Sequence, residues 1–162
     1  MLSVLYNNTH EIIQSPDHVT IVIEMNHDAR IIPIFDNAEE ARANHKPSAI
    51  QPWLGDSVGW YEGDALMVET RNVYPEQRSS GAFPVTDETV VTERFTRHSP
   101  TEIFYEFTVN DPVLYSQPWK AELSFHETDK QQYEYACHEG NYAMPGILYG
   151  ARLAEAEARA GA

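Results

Sequence analysis

Glu102-Ile-Phe-Tyr-Glu-Phe-Thr-Val109 is the stretch that decides the fold class of this 162-residue chain. Its side chains alternate, with Ile, Tyr, Phe and Val on one face and Glu, Phe, Glu and Thr on the other. This period-two alternation indicates a β-strand with one apolar face. Ser99-Pro-Thr101 favours a tight turn, and Thr89–Arg97 before it is another strand-like run, so we predict a β-hairpin.

The same pattern recurs along the chain and predicts an all-β protein of eight or nine strands. Turn-forming residues separate the runs, and Glu62-Gly-Asp64 is a second predicted hairpin tip. The longest irregular stretch, Tyr74–Pro84, contains two prolines, two serines and a glycine and is predicted to be a mobile flap. The predicted strands are His10–Gln14, His18–Met25, Arg30–Phe35, Gly59–Glu62, Ala65–Arg71, Thr89–Arg97, Glu102–Val109, Trp119–Glu127 and Gln131–Cys137.

Closely spaced strands without βαβ crossovers favour an antiparallel barrel or sandwich. Several strands, such as His18–Met25, have a second face of mixed polarity, which is expected where a sheet encloses a partly polar cavity. We therefore predict one domain over residues 1–162, an antiparallel lipocalin-like (calycin-type) β-barrel, with a β-sandwich as the alternative. Helices are predicted at Ala38–Asn44 and at Ile147–Ala160, the latter within a C-terminal tail over residues 146–162.

Composition limits the partners of this chain. Its net charge of -14 repels phosphate backbones and anionic lipid, and its 11 basic residues form no stripe, so neither nucleic acid nor a membrane is expected to bind. The single cysteine, Cys137, excludes an internal disulfide. Met1-Leu-Ser-Val-Leu5 lacks the pattern of a signal peptide, and we expect a cytoplasmic protein. Composition does not decide whether the chain forms a homodimer.

The first dense polar cluster is Glu24-Met-Asn-His-Asp-Ala-Arg30, at a predicted turn between two strands. A carboxylate such as Glu24 or Asp28 beside the imidazole of His27 can support proton transfer, with Arg30 binding a developing negative charge. The alternative is structural: Asp28 makes the turn and Arg30 pairs with Glu24.

The second dense cluster follows the predicted strand Gln131–Cys137. His138 and Glu139 offer another imidazole and carboxylate at the mouth of that strand, while Asn141 and Tyr142 can stabilise an oxyanion. The alternative is a turn whose polar side chains bind backbone groups.

Other kinds of site have weaker support. A metal would need His27, His138 and a carboxylate to converge, and no H-x-H or H-E-x-x-H spacing is present, so we expect neither a metal nor a cofactor. Cys137 is interpreted as a buried structural cysteine. Trp119, Tyr135 and Tyr105 are candidate walls of a substrate pocket, although core packing explains aromatic side chains equally well.

Four blocks of the chain resemble a family of bacterial β-rich proteins: Glu24-Met-Asn-His-Asp-Ala-Arg-Ile-Ile-Pro33, Trp53 to Thr70 with its Gly-Asp-Ser and Glu-Gly-Asp-Ala-Leu-Met-Val-Glu-Thr segments, Glu93-Arg-Phe-Thr-Arg97, and Tyr133-Glu-Tyr-Ala-Cys-His-Glu-Gly-Asn-Tyr142. The resemblance spans nearly the whole chain and implies a β-rich fold without a settled activity. Many members of that family look longer and exported.

Together these features predict a cofactor-independent enzyme with acid–base chemistry in a barrel cavity. The expected substrate is a hydrophobic or aromatic small molecule, and the expected reaction is an isomerisation, cyclisation, dehydration or lyase step, since each needs only proton transfers in a shaped pocket. The alternative is a non-catalytic lipocalin-like protein in which the same polar groups only recognise the ligand.

Overall fold

A single eight-stranded sheet forms the body of the protein. The computed structural model describes residues 9–25, 28–80, 83–134, 136 and 139–161. The strands are β1 His10–Gln14, β2 His18–Ile23, β3 Ala29–Phe35, β4 Asp56–Glu62, β5 Ala65–Arg71, β6 Val90–Ser99, β7 Glu102–Asn110 and β8 Trp119–His126. The helices are α1 Ala38–Ala43, α2 Pro75–Ser80 and α3 Ala143–Ala160.

The strands are paired in chain order, and all neighbouring pairs except β3–β4 are antiparallel. β3 and β4 run parallel and pair through two positions only, Ile34 with Gly59 and Phe35 with Trp60. The sheet curls into a half-barrel, so that the rings of His10 on β1 and Phe125 on β8 lie 5.5 Å apart on its concave side. The all-β, barrel-like fold predicted from the sequence is confirmed.

The concave face of the sheet carries the main hydrophobic core. Alternation along each strand sends every second side chain to this face, and the core is formed by Val19, Ile21, Ile32, Leu66, Val68, Phe95, Tyr105, Phe107 and Val109. A cavity of about 30 Å³ lies on this side of the sheet, lined by Ile21, Phe95 and Tyr105 of the core together with neighbours such as His10 and Phe125. A cavity of this size holds roughly one water molecule.

On the convex face, α1 covers part of the sheet. Asn37 caps this helix by accepting a hydrogen bond from the Glu40 amide at 2.9 Å. Ala41 is fully buried against Val58 and Trp60 of β4. α1 lies in the connection between β3 and β4, which provides the length that a parallel pair requires.

Two sequence predictions were wrong in detail. The segment from Gln131 to Glu134 is not a strand, because its side chains are polar apart from an exposed Tyr133 and offer no apolar face to bury; Tyr135 and Cys137 lie outside the described residues. The stretch Tyr74–Pro84 contains α2, although we predicted it to be irregular.

The C-terminal helix begins earlier than predicted, at Ala143, because Pro145 falls in the first turn, where proline is tolerated. None of its residues is buried. No helix among the described residues is long and apolar enough to cross a membrane.

Candidate functional site

The candidate site lies where β3 and β4 separate. The end of β3 pairs with the middle of β4, so the segments Ala29–Pro33 and Asp56–Val58 have no ladder between them. The Arg30 side chain crosses this gap on the concave side. It donates from Nε to Ser57 Oγ at 2.9 Å and from Nη2 to Thr70 Oγ1 at 2.6 Å.

Arg30 also forms a bidentate ion pair with Glu93 on β6. Its Nη1 donates to Glu93 Oε1 at 2.9 Å, and its Nη2 contacts Oε2. Tyr105 on β7 donates its hydroxyl to Glu93 Oε1 at 2.8 Å. Arg30 and Glu93 are 5% and 1% exposed. One guanidinium therefore links β3 to β4, β5 and β6 at the place where backbone pairing stops.

The environment fixes the charges of this network. Burial acts to raise the pKa of the Glu93 carboxyl, but the Arg30 guanidinium outweighs it and holds the pKa well below its ordinary value. Burial and the Glu93 charge raise the pKa of the Tyr105 phenol far above its ordinary value. Tyr105 is therefore a hydrogen-bond donor and Glu93 a permanent anion, and neither acts as a proton shuttle near neutral pH.

A groove of about 360 Å³ opens between the separated strands. This volume lies in the range of small-molecule sites. Asp56 and Ser57 point to opposite faces of the sheet, yet both line the groove because β3 has moved away from β4. The lining residues are Asp28–Ile31, Pro33, Asn44, Lys46 and Pro52–Val58.

A second polar cluster lies behind the groove, on the convex face. His45 Nδ1 lies 2.8 Å from Asp56 Oδ2, and its Nε2 lies 3.4 Å from Glu69 Oε1. Asp56 Oδ2 also accepts a hydrogen bond from the Lys46 amide at 2.8 Å. Asp56 thus holds the loop that forms one wall of the groove.

Glu69 in this cluster is a fixed anion. Burial acts to raise the pKa of its carboxyl, but the neighbouring His45, Arg42 and Arg71 lower the pKa to about 2. Arg42 and Arg71 donate to it at 2.8 Å each. Within the described ranges, no three His, Cys, Asp or Glu side chains converge in an arrangement that could hold a metal.

An aromatic pair forms the rim of the groove. Trp53 lines the groove with half of its surface exposed, and its ring lies 5.4 Å from that of Tyr74. Gly55 beside it has a φ of 78°, and a Cβ there would lie 2.7 Å from Thr70 Cγ2. A side chain at this position would be strained and would push β5 away.

The structure places part of the first predicted cluster at this groove. Asp28 and Arg30 line it, although Arg30 pairs with Glu93 and not with Glu24. Glu24 follows β2 and accepts a hydrogen bond from the Tyr133 amide at 2.9 Å, which lowers the pKa of its carboxyl. His27 lies outside the described residues.

The second predicted cluster lies in an exposed turn before α3. Gly140 has a φ of 72°, and Asn141 Oδ1 accepts from the Ala143 amide at 3.1 Å. Glu139 and Tyr142 are exposed. His138 and Tyr135 lie outside the described residues. Tyr133, which precedes this turn in the chain, donates its amide to Glu24 of the first cluster. None of Glu139, Asn141 and Tyr142 lines the groove.

The two remaining predicted substrate contacts lie in packed surroundings. Tyr105 is 2% exposed and stacks on Phe125 at 5.2 Å. Trp119 is half-buried between Phe107 and Phe83, and among the described residues its buried Nε1 has no hydrogen-bond partner. Neither lines the groove.

The sequence reasoning missed Glu93, Ser57, Thr70, His45, Asp56 and Glu69. Glu93 had a usable signal, because it shares a strand face with Val91 and Phe95, and a carboxylate on an apolar face requires a buried partner. His45 lies in a loop, which has no periodicity, and Asp56 begins β4, ahead of the predicted strand Gly59–Glu62, so neither had such a signal.

No protein-family model, curated protein or solved structure matches the chain. The resemblance to a bacterial β-rich family therefore stays a prediction, and the interpretation of the site depends on its own geometry.

Proposed function

We propose that this protein binds a small organic molecule in the groove between β3 and β4. The groove volume of about 360 Å³ is the observation that supports the proposal. The interior cavity of about 30 Å³ is too small to support the proposal of a ligand inside the barrel. We therefore propose the gap between the strands as the binding site, in place of the barrel cavity expected from the sequence. The mixed lining, with Trp53 and Leu54 beside Asp28 and Asn44, suits an amphipathic ligand.

Rigid neighbours support a preformed site. The Arg30–Glu93 network holds one side of the gap, and the hydrogen bonds of Asp56 to His45 and Lys46 hold the other. Groups held in this way lose little freedom when a ligand binds, which favours affinity.

Acid–base catalysis at the same groove is the second candidate function, and the position of Asp56 favours it. Asp56 lines the groove and has the imidazole of His45 behind it at 2.8 Å, an arrangement that can relay a proton. His27, next to Asp28, remains the other candidate base. The reaction classes expected from the sequence, isomerisation, cyclisation, dehydration and lyase chemistry, carry over to this candidate.

A fragment screen followed by amide chemical shifts tests the binding proposal. Ile31→Trp places a bulky ring in the groove from an exposed position, and Ile13→Trp makes the same change on β1, outside it. We expect fragments to perturb residues 28–33 and 52–58, and Ile31→Trp to weaken their binding about tenfold while Ile13→Trp changes it little. Perturbations elsewhere, or equal effects of the two variants, would contradict groove binding.

Turnover separates the two candidate functions. Once a ligand is known, Asp56→Asn and His27→Gln should each reduce the rate about a hundredfold if they transfer protons, with binding largely kept. Binding without any conversion of the ligand would contradict the catalytic function and support the non-catalytic binding function.

A further inference from the structure

One carboxylate in the groove, that of Asp28, has no partner among the described residues. Asp28 lies just before β3, where its carbonyl accepts from the Ile23 amide at 2.9 Å. Its half-buried side chain forms no hydrogen bond or ion pair within the described part of the chain.

The other charged side chains among the described groove residues are paired. Arg30 is neutralised by Glu93, and Lys46 Nζ lies 3.7 Å from Asp56 Oδ1. Among the described residues that line the groove, the carboxylates of Asp28 and Asp56 therefore outnumber the one remaining cation, Lys46. A ligand with a positive charge would complete this balance, whereas an anionic ligand would add to the repulsion.

An aromatic face is available in the same groove. Trp53 is held by Tyr74, and half of its surface remains exposed. Tryptophan is the best aromatic partner for a cation placed over its ring. The net charge of -14 makes the surrounding potential negative and attracts cations to the groove.

We infer that the ligand of this groove is an amphipathic organic cation, such as a substituted amine or quaternary ammonium compound. The Asp28 carboxylate pairs with the charged nitrogen, and the Trp53 ring contacts its apolar substituents. This inference depends on the proposed binding function of the groove and specifies the chemical class of its ligand.

Three probes of similar size test the charge preference: benzyltrimethylammonium, benzyl alcohol and benzoate. Their affinities are measured from the chemical shifts of groove amides in the full chain. We expect the cation to bind about tenfold more tightly than the other two. Asp28→Asn should abolish the preference, and Asp129→Asn, which removes the same charge from an exposed segment outside the groove, should retain it.

A second pair of variants tests the aromatic contact. Trp53→Leu should weaken binding of the cation about threefold to tenfold. Tyr61→Leu changes a comparably exposed aromatic residue outside the groove and should have little effect.

The outcomes distinguish this inference from the binding proposal. Groove binding of benzyl alcohol or benzoate as tight as that of the cation would overturn the cationic class and leave groove binding intact. Unchanged cation affinity in Asp28→Asn would also overturn it. If none of the three probes binds, the inference is wrong, and the fragment screen with Ile31→Trp decides groove binding separately.

Discussion

The Arg30 guanidinium and the Glu93 carboxylate form a bidentate ion pair between β3 and β6, across two intervening strands. The pair lies beside the gap where β3 and β4 lose their backbone pairing. Ser57 accepts a hydrogen bond from Arg30 Nε and Thr70 accepts one from Nη2, so side chains replace the missing ladder. The groove exists because the strands separate, and it keeps its shape because this network joins them.

Removing Arg30 should strongly destabilise the fold. Arg30→Met removes the guanidinium that forms the bidentate ion pair with the buried Glu93 carboxylate, and we expect a loss of about 3–5 kcal/mol in the free energy of unfolding by urea denaturation. The matched control is Arg94→Met, since Arg94 is partly exposed and lies 3.6 Å from Glu106. An exposed pair of this kind contributes about 1 kcal/mol or less. Equal losses in the two variants would contradict a bracing role for Arg30.

The short parallel pairing should be sensitive to volume. A Cβ at Gly59 would lie 2.8 Å from Ile34 Cδ1 and 3.2 Å from the Met67 carbonyl oxygen. We expect Gly59→Ala to cost about 1–3 kcal/mol in the free energy of unfolding. A Cβ at Gly146 in α3 meets nothing within 4 Å, so Gly146→Ala should be neutral or slightly stabilising. A neutral Gly59→Ala would show that β3 and β4 are not closely packed.

A buried carboxylate should make stability depend on acid pH. Asp111 accepts from the Thr89 hydroxyl at 2.5 Å and from the Thr86 and Leu114 amides. Burial acts to raise the pKa of this carboxyl, but these hydrogen bonds lower it from 3.8 to about 2.

The folded-state pKa of Asp111 lies below the unfolded value, so its stabilisation is complete above about pH 4 and is lost as the pH falls toward 2. Asp111→Asn should lower stability at neutral pH and flatten its pH dependence between those values. Asp129→Asn is the control and should leave the curve unchanged. A wild-type slope in Asp111→Asn, measured by thermal melts across pH, would refute this assignment.

Asp56 should hold in place the loop that forms one wall of the groove. Asp56→Ala removes the acceptor of the Lys46 amide and the partner of His45. We expect the Lys46 amide to exchange its hydrogen about tenfold faster or more, because local opening becomes easier when this bond is lost. Asp129→Ala serves as the control. Unchanged exchange at Lys46 would mean that other contacts hold the loop.

The C-terminal helix should be dispensable for folding. None of its residues is buried, and exposed side chains such as Ile147 and Tyr149 contribute little to the core. Deleting residues 143–162 should change the melting temperature by about 2 °C or less, given the small area involved. A loss of cooperative melting would show that the helix is part of the domain.

The sequence predicts the strands well because alternation is local. The order of residues in Glu102–Val109 is enough to identify its apolar face. β7 covers the same residues with one more at its end. The parallel pair β3–β4 could not be foreseen, since a two-residue pairing depends on how the connection through α1 packs. Alternation also failed beyond β8, where Tyr133 remains exposed.

The site was predictable only in part. The polar cluster predicted at Glu24–Arg30 includes Asp28 and Arg30, which line the groove. Arg30 and Glu93 are 63 positions apart, so their pairing depends on the curl of the whole sheet. The size of the interior cavity could not be predicted either, because alternation shows which side chains face inward but not how completely they fill the space.

A crystal structure soaked with benzyltrimethylammonium tests the central claim most directly. The account predicts ligand density between β3 and β4, with the charged nitrogen within about 4–6 Å of the Asp28 carboxylate and the Trp53 ring. Density inside the half-barrel near Phe125, or against Phe83 and Trp119, with an empty gap between β3 and β4, would contradict it.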